Sequence, residues 1–138
     1  MKQIDGMGGT VSSTSKIAII APSDKPGVDV EYTFRQVDIV IPRVDGSANC
    51  GNISSAVGPF AIDEGLVLAV EPITVVRVLN TNTNKIIEEH VRVEDGHAMV
   101  HGDEVIQGFR EQVPASICIL RIRLVPRPES CSDRSEKR

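Results

Sequence analysis

Short apolar runs alternate along the chain with clusters of turn-forming residues, a rhythm that predicts strands joined by tight connections. Residues 16–21 (KIAIIA) form an apolar run of strand length, followed at 22–27 (PSDKPG) by an exposed turn. A second strand is expected over residues 32–41. There Phe34, Gln36 and Asp38 alternate with Thr33, Arg35, Val37 and Ile39 in an imperfect period of two, and Pro42 and Asp45-Gly46 end the run. Residues 73–79 (ITVVRVL) and 85–93 (KIIEEHVRV) flank Asn80-Thr81-Asn82-Thr83-Asn84 and predict a β-hairpin. Asp95-Gly96 marks another turn, of the tight type I′ class, and a last strand is expected over about residues 117–125. Glu88, Glu89 and Glu94 are expected on a solvated strand face.

One segment follows a different period. In residues 50–64 (CGNISSAVGPFAIDE), Ile53, Val57, Phe60 and Ala61 fall at i, i+4, i+7 and i+8, on one face of a helix. The other face is small rather than charged, with Ser54, Ser55, Ala56 and Gly58. A helix that is small and apolar nearly all round belongs inside something, and Pro59 should bend or divide it after about two turns. The expected fold is α+β: a β-rich domain with one buried helix.

Composition narrows the class. The 138 residues suit one domain with one core. With no Trp and 3% aromatics, that core must rest on Val, Ile, Leu and Ala. A net charge of −4 and a pI near 5.3 argue against a general nucleic-acid surface. No apolar run approaches the roughly 18 residues of a membrane span, and no secretory leader pattern opens the chain, so a soluble cytoplasmic protein is expected. Cys50, Cys118 and Cys131 match no zinc or redox spacing and read as free thiols. His97 and His101 stand four apart in a turn and strand, without a carboxylate motif that would make them metal ligands.

Two positions carry candidate chemistry. Asn49-Cys50-Gly51-Asn52 precedes the helix, where unpaired N–H groups ease thiol ionisation and can bind a carboxylate, and Gly51 allows close approach to the backbone. Taken alone, a lone cysteine is more often an inert buried residue. Lys16 follows the Gly- and hydroxyl-rich residues 1–15 and opens an apolar strand; a lysine with its stem in an apolar site can act as a base, although a solvated strand-edge lysine is commoner.

Several motifs, in order, carry a resemblance. Gln3 to Gly9 (QIDGMGG) followed by Ser12-Ser13-Thr14-Ser15-Lys16 resembles the lysine-bearing loop of the 2-methylaconitate cis–trans isomerase (PrpF) family. Residues 28–37 (VDVEYTFRQV) are similar to its next strand, Asn49 to Ser54 (NCGNIS) to its cysteine-bearing segment, and Asn80 to Lys85 (NTNTNK) to a further motif. The likeness runs from about Lys2 to the Gly102 region. It implies a diaminopimelate-epimerase-like fold, a β-barrel-like mixed sheet wrapped around a central helix, here an incomplete single domain. It also implies an isomerase that uses no cofactor or metal and moves a proton next to the double bond of a small unsaturated di- or tricarboxylate of the 2-methylaconitate or oxalomesaconate type. Lys16 would be the base, Cys50 the partner acid or positioning group, and Gly51, Asn52, Gly8, Gly9, Ser13 and Ser15 substrate contacts.

The chain departs from the family pattern at both ends. An upstream Gly-rich, Arg-containing loop and a second domain have no counterpart here, and residues 126–138 are expected to be a disordered tail after a partial domain over residues 1–125. Weak or absent activity is expected of this chain by itself, and the alternative is a truncated, non-catalytic fragment or interaction module of the same fold. A same-fold racemase would employ two cysteines, which Lys16 in the partner position argues against. Neither a nucleic-acid nor a membrane partner is expected, and a homo-oligomer is left open.

Overall fold

The alternation read from the sequence becomes one side of a mixed sheet. The computed structural model describes residues 11–102 and 123–124. Among them, a short 3-10 turn at Ser12–Thr14 leads into β1 (Lys16–Pro22), β2 (Val30–Val37) and the two-residue β3 (Val44–Asp45). Two short helices follow, α1 (Gly51–Ser54) and α2 (Val57–Asp63), and then β4 (Ile73–Asn80), β5 (Lys85–Glu94), β6 (His97–Ala98) and β7 (Arg123–Leu124). The sheet runs β1-β2-β4-β5-β6, with β3 on β2 and β7 on β5. All pairings are antiparallel except β2–β4, which is parallel in the register Val30↔Val78 to Tyr32↔Asn80. Parallel neighbours need a crossover, and this one carries both helices over the sheet.

The core is the period-two row on one face. Val30, Tyr32 and Phe34 of β2, Val76 and Val78 of β4, and Ile87, Val91 and Val93 of β5 pack against Val57, Ala61 and Ile62 of α2. Apart from Tyr32 and Phe34 these are aliphatic, as the composition requires. The β4–β5 hairpin pairs from Asn80↔Lys85 to Ile73↔Arg92. The turn after β5 places Asp95 at φ 52° and Gly96 at φ 78°, the positive values a type I′ turn demands.

Three expectations change. The second strand begins at Val30 and stops at Val37 rather than spanning 32–41, because the Asp38 carboxylate accepts the N–H groups of Val40 (2.8 Å) and Ile41 (3.2 Å) and curls the chain into a turn. The helical segment is divided at Ser55–Ala56, ahead of Pro59: the proline lacks the N–H that would bond the Ser55 carbonyl, and its ring crowds that carbonyl. Its buried face is Ser54, Val57, Gly58, Ala61 and Ile62, leaving Phe60 46% exposed. Finally, Glu89 is not on a solvated face. It shares the parity of Ile87, Val91 and Val93 and is 1% exposed, whereas Glu88 is half-buried and Glu94 exposed. The strand expected at 117–125 lies largely outside the described residues, which include only Arg123–Leu124 of it; the 126–138 tail lies wholly outside them.

The buried Glu89 carboxyl accepts the Gly58 N–H at 2.6 Å through Oε2, while Oε1 has no partner among the described residues. A Cβ on Gly58 would sit 2.5 Å from that Oε2 and 2.9 Å from Val91 Cγ2, so glycine is what lets α2 rest on β5. Burial pushes the Glu89 pKa up to about 7, against the Gly58 hydrogen bond that pulls it down. The folded chain therefore holds this proton more tightly than the unfolded chain over the interval from about 4.5 to about 7. Stability should be highest below that interval and fall as pH rises through it, by about 3 kcal/mol. Denaturant titrations at pH 5 and pH 8 should show the fall in the unsubstituted chain and flatten it in Glu89→Gln. Gly58→Ala should lower the unfolding free energy by about 1–3 kcal/mol at either pH.

Candidate active site

Lys16 is held by the strand pair it opens. It stands opposite Gln36 in the β1–β2 register, and the Gln36 side chain donates from Nε2 to the carbonyls of Ser15 (2.7 Å) and Ser12 (3.0 Å). The Val37 N–H also donates to the Ser15 carbonyl at 2.9 Å. The loop leading into Lys16 is thus pinned to β2 by backbone and side chain together.

Cys50 is held by the crossover. It is the N-cap residue of α1, in an extended conformation, with its carbonyl accepting the Ser54 N–H at 3.0 Å. The Ser54 hydroxyl also reaches the Cys50 carbonyl (2.9 Å) and Asn49 Oδ1 (3.3 Å). Asn49 Oδ1 is in turn bound by Asn80 Nδ2 at 2.8 Å, from the end of β4. Asn82, two residues on, holds both the N–H (2.8 Å) and the carbonyl (3.0 Å) of Phe34 as a neighbouring strand would, and donates to the Gly46 carbonyl at 2.6 Å. The Asn-Thr-Asn-Thr-Asn run therefore does more than turn the hairpin: it ties the start of the crossover and the Cys50 loop to the sheet.

These two anchorages bring Lys16 Nζ to 3.2 Å from Cys50 Sγ, although 34 positions separate them in sequence. Both side chains are half-buried. Burial pushes the Cys50 thiol up, but the Ile53 N–H, the Lys16 ammonium and the Asn52 N–H outweigh it, and its pKa lies below the ordinary thiol value. The contact sets a nitrogen and a sulfur that can each carry or release a proton at one point of the surface. Such a pair can remove a proton from a bound molecule and return one to it.

The other predicted contacts are distributed unevenly. Gly51 and Asn52 are exposed in the first turn of α1, next to the thiol. Ser13 is exposed in the turn before Lys16, but Ser15 is wholly buried, with its hydroxyl donating to the Val11 carbonyl at 2.8 Å. Gly8 and Gly9 lie outside the described residues. Sequence reading missed Asn49, Ser54 and Asn80 as members of the site. The one available signal was that Asn49 sits beside the cysteine, and the Asn80 contact is long-range.

Two features are distinct from the pair. An apolar groove of about 470 Å³ runs between β1 and the helices, lined by Ala18, Ile19, Ile20, Ile53, Ala56, Val57 and Phe60. Its side chains are aliphatic and aromatic, and none of them is a donor for a carboxylate. Among the described residues no group of three or more His, Cys, Asp or Glu side chains could hold a metal ion, and His97 lies 3.6 Å from Asp63 Oδ1 instead. No helix among them is long and apolar enough to cross a membrane.

Comparison with known proteins adds the following. A family model described as PrpF protein matches residues 1–122. The 2-methyl-aconitate isomerase of Cupriavidus necator is 50% identical over 111 residues, which are 78% of this chain and 28% of that protein. The 4-oxalomesaconate tautomerase of Pseudomonas putida is 47% identical over 116 residues, 84% of this chain and 32% of that protein. A crystal structure of a methylitaconate-delta-isomerase superposes with a TM-score of 0.76 at 55% identity, covering 80% of this chain and 28% of that one. The chain thus spans less than a third of the length of the curated relatives it matches.

If the ammonium holds the thiol pKa down, Lys16→Met should raise it. The pH profile of iodoacetamide alkylation at Cys50, followed by peptide mass mapping, should move upward, with a slower reaction near neutrality.

Proposed function

The chain belongs to the PrpF protein family, and from that premise we propose that it forms part of a cofactor-independent isomerase acting on a small unsaturated di- or tricarboxylate. The substrate is of the 2-methylaconitate or oxalomesaconate type, and the reaction moves a proton next to the carbon–carbon double bond. The observation that supports this reading best is the 3.2 Å separation of Lys16 Nζ and Cys50 Sγ.

In this mechanism Lys16, as the free amine, removes an allylic proton alpha to a carboxylate. The electron pair left on carbon delocalises through the conjugated double bond into the carboxylate, and the former double bond gains single-bond character. Rotation about it followed by reprotonation gives the geometric isomer; reprotonation at the far carbon gives the shifted double bond. Cys50 supplies that proton and becomes the thiolate, so turnover ends with an ammonium beside a thiolate. Transfer of one proton from nitrogen to sulfur across the 3.2 Å contact restores the amine and the thiol. Gly51 offers its backbone N–H, and the exposed Asn52 its side-chain amide, to a substrate carboxylate and to the negative charge that develops on it. Ser13, Gly8 and Gly9 are further candidates for carboxylate contacts, and Ser15 is one only if its bond to Val11 opens.

A second reading, a non-catalytic fragment or interaction module of the same fold, is favoured by one observation: the apolar groove beside β1 leaves Ile19 and Phe60 exposed, as a surface awaiting further polypeptide would. The two readings separate in a complete polypeptide that contains this segment. With 2-methylaconitate in D2O, the isomerase should wash deuterium into the allylic positions, followed by proton NMR. Lys16→Ala should reduce that exchange by at least about 10²-fold. Near-normal exchange in the variant would remove Lys16 from the chemistry.

A further inference from the structure

The orientation of one exposed carboxamide at the site is fixed from inside the protein. A backbone N–H can only donate, and the Thr83 N–H donates to Asn80 Oδ1 at 3.0 Å; the Thr83 hydroxyl reaches the same oxygen at 3.1 Å. Asn80 is wholly buried, so no solvent competes for its amide. With its oxygen committed, Asn80 must present Nδ2 on the other side, and that nitrogen donates to Asn49 Oδ1 at 2.8 Å. The Ser54 hydroxyl approaches the same Asn49 oxygen at 3.3 Å. The sense of the Asn49 carboxamide follows: its oxygen is turned to the protein, and its Nδ2, with two N–H donors, has no partner among the described residues. Asn49 is exposed and is the chain neighbour of Cys50.

We propose that Asn49 Nδ2 is a substrate-binding donor for one carboxylate of the unsaturated acid, and that Asn80 is the positioning residue that keeps that donor facing outward. The inference rests on the reading of Lys16 and Cys50 as an acid-handling pair. Its chemical logic is one of sign. A carboxylate accepts hydrogen bonds and gives none, so a carboxamide beside it helps only with its nitrogen forward. Turned over, Asn49 would present an oxygen and repel the same group. The buried Asn80–Thr83 contacts remove that choice, and they reach the site from a hairpin that carries neither Lys16 nor Cys50.

The test is protection of Cys50 in the full chain. Differential alkylation with iodoacetamide, read at Cys50 by peptide mass mapping, gives the concentration of cis-aconitate that halves the reaction. Asn49→Ala should raise that concentration about tenfold, the scale of one lost hydrogen bond to a charged group, and should also lower the thermal midpoint, because the buried Asn80 Nδ2 loses its acceptor. Asn80→Asp keeps an acceptor for Thr83 but faces Asn49 with a second oxygen, so Asn49 must turn its nitrogen inward. Protection should weaken as in Asn49→Ala, and combining the two substitutions should cost nothing more. Equal protection of the unsubstituted and Asn49→Ala chains would overturn the inference while leaving the acid site standing. Additive losses in the double variant would overturn the role of Asn80. No protection by cis-aconitate in the unsubstituted chain would remove the acid-site reading and this inference with it.

Discussion

The parallel pairing of β2 with β4 obliges the chain between residues 37 and 73 to cross over the sheet, and this crossing places Cys50 against the strand that opens with Lys16. A tight antiparallel connection there would leave no segment long enough to carry a helix, a capped thiol and a return. The 3.2 Å contact between ammonium and sulfur is the product of two independent anchorages. One is the β1–β2 register with Gln36 bound to the Ser15 carbonyl; the other is the Asn49–Asn80 bond between crossover and hairpin. Neither side chain could hold that position by its own rotamers, since a long lysine at a strand end gives up considerable freedom to stay in one place.

Much of the scaffold was legible along the chain. β1, β4 and β5 appear where their apolar runs predict, because a strand of this length needs only period-two patterning and flanking turn residues. The end of β2 was not legible from patterning, since Val37 and Ile39 continue the alternation; a carboxylate at Asp38 that captures two backbone N–H groups overrides it. The division of the helix had the right cause in Pro59 and the wrong place, because the crowding falls on the preceding turn. Glu89 was misplaced by reading charge before parity. Ile87, Val91 and Val93 share its face, and that row already set its direction.

The chemistry was legible to a different depth. No spacing rule joins Lys16 to Cys50, and their meeting was an implication of the family likeness, not of pattern. The thiol's lowered pKa could be anticipated from its place before a helix, yet the Lys16 contribution to it could not. The Asn-Thr-Asn-Thr-Asn run was read as a turn, which it is. Its further work, pairing Asn82 with Phe34 and Asn80 with Asn49, depends on a parallel strand register that local sequence does not encode.

The contact of Gly58 with Glu89 bears on how the sequence can drift. The space a methyl group would need on the helix is already taken by a carboxylate oxygen, so the two positions share one volume. A lineage could acquire alanine at 58 with little penalty only after trimming the residue at 89 and easing the contact with Val91, and the order of the steps would matter. Descendants of such a lineage should keep the pair as alternatives, a bulkier helix facing a shorter strand side chain, and should lose the only carboxyl group buried among the described residues along the way.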